Sequence, residues 1–193
     1  MWKTLQWLLW TVGILSLGYW VEANLKGILS QSRGARELEH YSALPSSSSP
    51  SSQAPAAGEV VGRLEIPRLK LSTIVFEGAD DDALERGAGH LPGTALPGGR
   101  GNTVLAAHRD TFFRPLSGIR KGDTVLVTTP DGVHSYRVFG TRVVAPSDVS
   151  VLRSGQRSQL TLVTCYPFDY VGSAPQRFIV QAELTPPRIA ASQ

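Results

Sequence analysis

From residue 59 to about 185 the sequence breaks into short β-branched and apolar runs separated by turn-forming residues. The runs fall at 60–66, 69–76, 103–107, 124–129, 133–139, 141–145, 159–164 and 177–184. Each is too short for a core helix and rich enough in Val, Ile, Leu and Thr to read as a strand. Pro130-Asp131-Gly132 marks a turn between two of them, and Gly140 marks another bend. Helix signals are sparse. Asp80–Arg86 (DDDALER) reads as one or two turns with an aspartate cap, ended by Gly87, and 114–119 as a second short helix. Eight short strands with so little helix make an all-β domain, closed as a barrel or stacked as a sandwich, and periodicity does not choose between them.

The chain before this domain has a different character. Thr4 to Val21 carries no charge (TLQWLLWTVGILSLGYWV). As a helix those residues reach about 27 Å, close to the hydrocarbon thickness of a bilayer. Trp2, Trp7, Trp10, Tyr19 and Trp20 put rings near both ends, as an interfacial belt does. Lys3 on one side favours a cytoplasmic N-terminus, against Lys26, Arg33 and Arg36 on the other. The stretch reads as a retained single-pass anchor. The other readings are a signal peptide cleaved near Val21-Glu22-Ala23 and a buried helix of a soluble fold, which the polar linker that follows disfavours. Anchor or signal peptide, the domain lies outside the cytoplasm. Residues 22–44 have helical spacing around Leu25, Ile28, Leu29 and Leu38, and Pro45 to Gly58 (PSSSSPSSQAPAAG) is an extended linker. The expected organisation is an anchor over 1–22, a juxtamembrane helix and linker over 23–58, the β domain over 59–185, and a tail over 186–193.

Charge and cysteine count remove several function classes. The net charge is +3, and fifteen of the nineteen basic residues are arginine, in runs no longer than two. Nucleic-acid binding would call for a clustered basic stripe. One cysteine excludes an internal disulfide, a CxxC redox pair and a thiolate zinc site. No cofactor is expected. Glu77, Asp80, Asp81, Asp82 and Glu85 form an acidic cluster, and calcium there is a minor alternative. Their spacing lacks an EF-hand pattern and suits a solvated, capped helix turn.

The single thiol, Cys165, ends the run 160–164. A strand end puts a side chain at the rim of a sheet, where a substrate reaches it, although free cysteine is also among the most buried residue types. His108 ends the run 103–107 and is followed by Arg109-Asp110. Its ordinary protonation range suits an acid/base partner for a thiol; the other reading is a structural histidine. His40, His90 and His134 lack that placement. Arg177 opens the last strand, twelve residues after the cysteine, and the loop 166–176 lets the chain reverse beside it. Arginine is no base, but it binds oxyanions and favours a neighbouring thiolate. The other reading is an ordinary surface arginine.

Together these segments resemble the sortases, the membrane-anchored cysteine transpeptidases. The likeness rests on AHRD at 107–110, TLVTC at 161–165 and Arg177 in QRFIV, with IPRL, GHLPGTALPGGRGNT, FFRPL and KGD as context. It covers 59–184 and points to the class D group, where TLVTCYP- and AHRDTFF-like stretches are typical. Many members carry glycine where Ala107 stands. The resemblance implies an eight-stranded closed β-barrel and joining of an LPxTG- or LPxTA-type sorting signal to an envelope amine. It implies Cys165 as nucleophile, His108 as acid and base, and Arg177 as ligand for signal and oxyanion. Thr164, Arg109 and Tyr166 are carried over as substrate-binding residues. Two rivals remain: a cysteine peptidase that hydrolyses the same signal, and a non-catalytic tethered barrel with a structural thiol. Leu91-Pro92-Gly93-Thr94-Ala95 itself spells an LPxTA sequence. It reads as a turn-rich loop, the sharper alternative being a self-mimic that visits the groove.

Overall fold

The computed structural model describes residues 55–186 together with Lys3, Gln6, Trp7, Trp10 and 12–14 of an N-terminal helix. The expected anchor, juxtamembrane helix, linker and tail therefore lie largely outside the described residues. Among those described, no helix is long and apolar enough to cross a membrane.

The β domain is a closed barrel of eight strands in the order β1-β2-β3-β4-β7-β8-β6-β5. In chain order these are β1 Val60–Ile66, β2 Leu71–Glu77, β3 Ala88–His90, β4 Asn102–Ala106, β5 Thr124–Thr129, β6 Gly132–Val144, β7 Gln159–Tyr166 and β8 Gln176–Leu184. Closure pairs every strand on both sides, which leaves no free edge to recruit another chain. The single α-helix of the β domain, α1 (Asp81–Arg86), begins at Asp80, whose carboxylate accepts from the Ala83 N–H. Short 3-10 turns occur at Pro67–Leu69, Arg114–Gly118 and Val149–Leu152.

The expected strand count is right, but two of its members are not. Residues 133–139 and 141–145 belong to one continuous strand, β6. Gly140 makes a register shift between Val138 and Gly140 against β8 rather than a chain reversal. The missing strand is β3. Ala-Gly-His carries no β-branched signal, yet it pairs with β2 on one side and β4 on the other. Glycine is required there. A Cβ on Gly89 would sit 2.3 Å from the Gly78 carbonyl oxygen and 3.2 Å from the Ala79 Cα.

Side chains alternate between the barrel interior and its outer wall. Leu105 and Ala107 after it, Leu160 and Leu162 of β7, and Val180 and Ala182 of β8 all point into one core. Tyr136 is fully buried in it, and its hydroxyl accepts from the Gly98 N–H at 2.7 Å. Burial pushes the Tyr136 phenol up.

Strand directions define two poles. β4 and β7 run parallel and end at one pole, where β8 begins. At the other lie the start of β1, the loop 91–101 and the end of β8. A cavity of about 530 Å3 lined by His134, Arg137, Leu184 and Thr185 also belongs to that second pole.

Candidate active site

Strand register assembles the three residues singled out from the sequence. Cys165 on β7 lies directly opposite Arg177 on β8. β4 pairs in parallel with β7, with Ala106 beside Val163. Extending that register by two residues brings His108 level with Cys165. The odd-numbered residues of β7 and β8 here, and the even-numbered ones of β4, are those that alternate with the core-facing set. His108, Cys165 and Arg177 therefore form a row on the outer wall of the barrel. His108 is exposed, while Cys165 and Arg177 are half-buried. Among the described residues no hydrogen bond joins thiol and imidazole. The Nη1 of Arg177 donates to the carbonyls of Ala174 (3.2 Å) and Gln176 (3.0 Å). Its Nε and Nη2 make no hydrogen bond among the described residues, so three N–H donors remain for a ligand.

The residues carried over as substrate-binding are placed otherwise. Thr164 is 3% exposed and lies on the inward face of β7. Its hydroxyl donates to the Ala107 carbonyl at 2.8 Å, and the Ala107 N–H donates to Val163 O at 3.3 Å. Thr164 thus ties together the strands that carry Cys165 and His108. Tyr166 stacks on Phe178, with centroids 6.1 Å apart, and Phe168 meets both rings edge-on. Phe168 and Phe178 also pack on the barrel core. Arg109 is 6% exposed. Its Nη1 donates to Pro167 O at 2.7 Å, and Nε and Nη2 donate to the two carboxylate oxygens of Asp110 at 2.9 and 3.1 Å. Those bonds hold Asp110 below the usual carboxylate range and raise the guanidinium above its ordinary value, with Cys165 and Asp169 adding smaller attractions.

The sequence does not disclose what fastens the loop after Cys165. Besides Arg109 on Pro167, Arg114 reaches Asp169 at 3.8 Å. Both partners lie more than fifty residues away along the chain. The only local signal is the Arg109-Asp110 adjacency.

Two further features lie away from Cys165. Three residues of the acidic cluster have local partners. Asp80 caps α1, Asp82 pairs with Arg86 at 3.5 Å, and Glu77 is buried against His90. Among the described residues no three His, Cys, Asp or Glu side chains converge to hold a metal. His90 also fixes the 91–95 loop. Its Nε2 lies 3.1 Å from Ala95 O, which only accepts, so Nε2 carries a hydrogen. Its Nδ1 meets Glu77 at 2.6 Å, and the Thr94 hydroxyl binds Leu91 O at 2.7 Å. The LPGTA stretch is a clasped turn at the pole remote from Cys165, so it is not a mimic within its own site.

A family model for the sortase domain matches residues 64–185. The chain belongs to the sortase family. It is 39% identical over 127 residues to sortase D of Bacillus subtilis, covering 65% of this chain and 64% of that relative. It is 33% identical over 134 residues to sortase A of Streptococcus agalactiae, covering 65% of this chain and 53% of that relative. The match thus spans less than two thirds of either relative's length. Among solved structures, a sortase D5 transpeptidase of Clostridium perfringens superposes with a TM-score of 0.73 at 26% identity, covering 81% of this chain and 98% of that one. A sortase C1 of Streptococcus suis gives 0.63 at 29% identity, covering 67% of this chain and 74% of that one. The overall fold is thus shared with solved structures of sortases D and C.

Proposed function

We propose that this sortase is a cysteine transpeptidase that cuts an LPxT-type sorting signal after its threonine and passes the acyl group to an amine of the cell envelope. The observation that carries the reading is the outer-wall row of His108, Cys165 and Arg177, set by the β4–β7 and β7–β8 registers. The Cys165 thiolate attacks the threonine carbonyl carbon, and the C–N bond of the signal breaks as His108 gives a proton to the departing amine. The product is a thioester on Cys165. The acceptor amine then attacks it, His108 takes the proton from that nitrogen, and the C–S bond breaks to return the thiolate. Arg177, anchored through Nη1, turns its remaining N–H groups on the signal and on the tetrahedral oxyanion. The signal lies along the wall beside Ala106 and Val163, which share a face with His108 and Cys165.

No cofactor enters this chemistry. The apolar stretch Thr4–Val21 holds the chain in the membrane in a single pass, with the barrel outside the cytoplasm. In support, Trp7, Trp10 and Ile14 are 73%, 63% and 63% exposed on the N-terminal helix, a poor arrangement in water and a natural one in lipid.

The test mixes the full chain in detergent with an LPxTA-type peptide and a glycine peptide. A new amide product by mass, lost in Cys165→Ala, is the expected result. Free carboxylate alone identifies a hydrolase, and no product across a panel of signals identifies a binding barrel.

A further inference from the structure

We infer that Arg109 is a positioning residue that locks the nucleophile to its acid/base partner, not a ligand for substrate; this rests on the catalytic reading of Cys165 and His108. Arg109 follows His108, and Pro167 lies two residues beyond Cys165. The Nη1–Pro167 O bond of 2.7 Å closes a short ring that runs through both reactive residues. On the other flank, Thr164 Oγ1 and the Ala107 N–H tie residues 163–164 to Ala107. The peptide units of His108 and Cys165 are therefore bracketed from both sides. Thr164 holds the entry and Arg109 the exit.

The guanidinium suits this role better than binding. It is 6% exposed, so a peptide carboxylate or carbonyl has little access to it. Three of its five N–H groups are already donated, two of them to Asp110, which is 64% exposed at its side chain and screens the outer face of the fork. Asp110 sets the plane of the guanidinium so that Nη1 points at Pro167. The β4–β7 backbone pairing ends at the Ala107 N–H. Beyond it, the loop leaving Cys165 is fastened here, by the longer Arg114–Asp169 contact of 3.8 Å, and by Phe168 packing on the core. A displacement of about 1 Å between reacting groups costs on the order of 100-fold in rate, so loosening the exit side acts on turnover and not on affinity.

The test compares the full chain in detergent with Arg109→Ala and Arg109→Lys. Two readouts are taken: amide hydrogen exchange over 165–170, and steady-state kinetics with an LPxTA-type peptide and a glycine peptide. Arg109→Ala is expected to exchange faster over 165–170, with kcat lower by about 10- to 100-fold and KM within about twofold. Arg109→Lys, which keeps one donor for Pro167 O, is expected between wild type and alanine on both readouts. A rise in KM with kcat intact makes Arg109 a substrate ligand and overturns the inference. Unchanged exchange in Arg109→Ala also overturns it. If the wild type turns over no signal, the transpeptidase reading fails instead, and the exchange rates alone decide whether the clasp exists.

Discussion

Cys165 and Arg177 stand directly opposite each other across the β7–β8 ladder, with the loop between them turning the chain back at the barrel mouth. Opposed residues of antiparallel strands share a face at close range, so the guanidinium has a fixed post beside the thiol. Two backbone carbonyls hold one end of its fork. In the proposed reaction, Arg177→Ala removes a donor for the developing oxyanion charge and is expected to lower kcat by about 100- to 1,000-fold. Arg177→Lys keeps the charge without the fork and falls in between. Steady-state kinetics with a signal peptide decide this, and wild-type kcat in Arg177→Lys would mean that charge alone matters.

Thr164 tests the distinction between strut and groove wall. Thr164→Val leaves the buried Ala107 carbonyl without its side-chain donor and is expected to cost about 1–3 kcal/mol of stability. KM stays within about twofold of wild type. A raised KM at unchanged stability would instead put Thr164 against the substrate. Urea unfolding and peptide kinetics on one preparation separate the two.

Acid stability should depend on Asp123. This carboxylate accepts from Arg68 and from the Arg120 N–H, joining the 3-10 turn after β1 to the start of β5. The Arg68 hydrogen bonds hold it below the ordinary carboxylate value, against a smaller opposing effect of burial. A lowered folded value means the stabilisation is complete above the unfolded value, near pH 4 (about 3.9). It is lost as pH falls through the folded value. Asp123→Asn is therefore less stable than wild type at pH 7, with a shallower decline below pH 4. Parallel acid limbs in urea titrations would contradict this.

Gly89→Ala should destabilise the barrel more than a surface substitution would. The added methyl meets backbone at Gly78 O and Ala79 Cα, which yields less readily than a side-chain tip. A penalty of about 1–3 kcal/mol is expected for forced overpacking. Thermal melts read it directly, and an unchanged Tm would show that β3 shifts without cost.

The row of candidate residues was legible in the sequence because each of them ends or opens a run with a clear strand signal. Cys165 closes an apolar run, His108 follows another, and Arg177 begins a third; adjacency of the strands then does the rest. The barrel was legible as an all-β domain for the same reason. What was hidden depends on distant pairing. β3 exists because β2 and β4 flank it, not because Ala-Gly-His favours a strand. Gly140 reads as a turn in isolation, yet β8 alongside holds β6 straight through it. Thr164 reads as a groove residue beside a nucleophile until the parity of β7 turns it inward. Arg109, carried over as a substrate-binding residue, shows its bond to the loop after Cys165 only once that loop folds back over it.

The two-pole arrangement has a practical consequence for handling the protein. β1 begins and β8 ends at the pole opposite Cys165. A tag, a fluorophore or a resin coupled at either boundary of the barrel would leave the reactive rim pointing into bulk solvent. Immobilised on a bead through such a coupling, the barrel would present its thiol outward to any peptide flowing past.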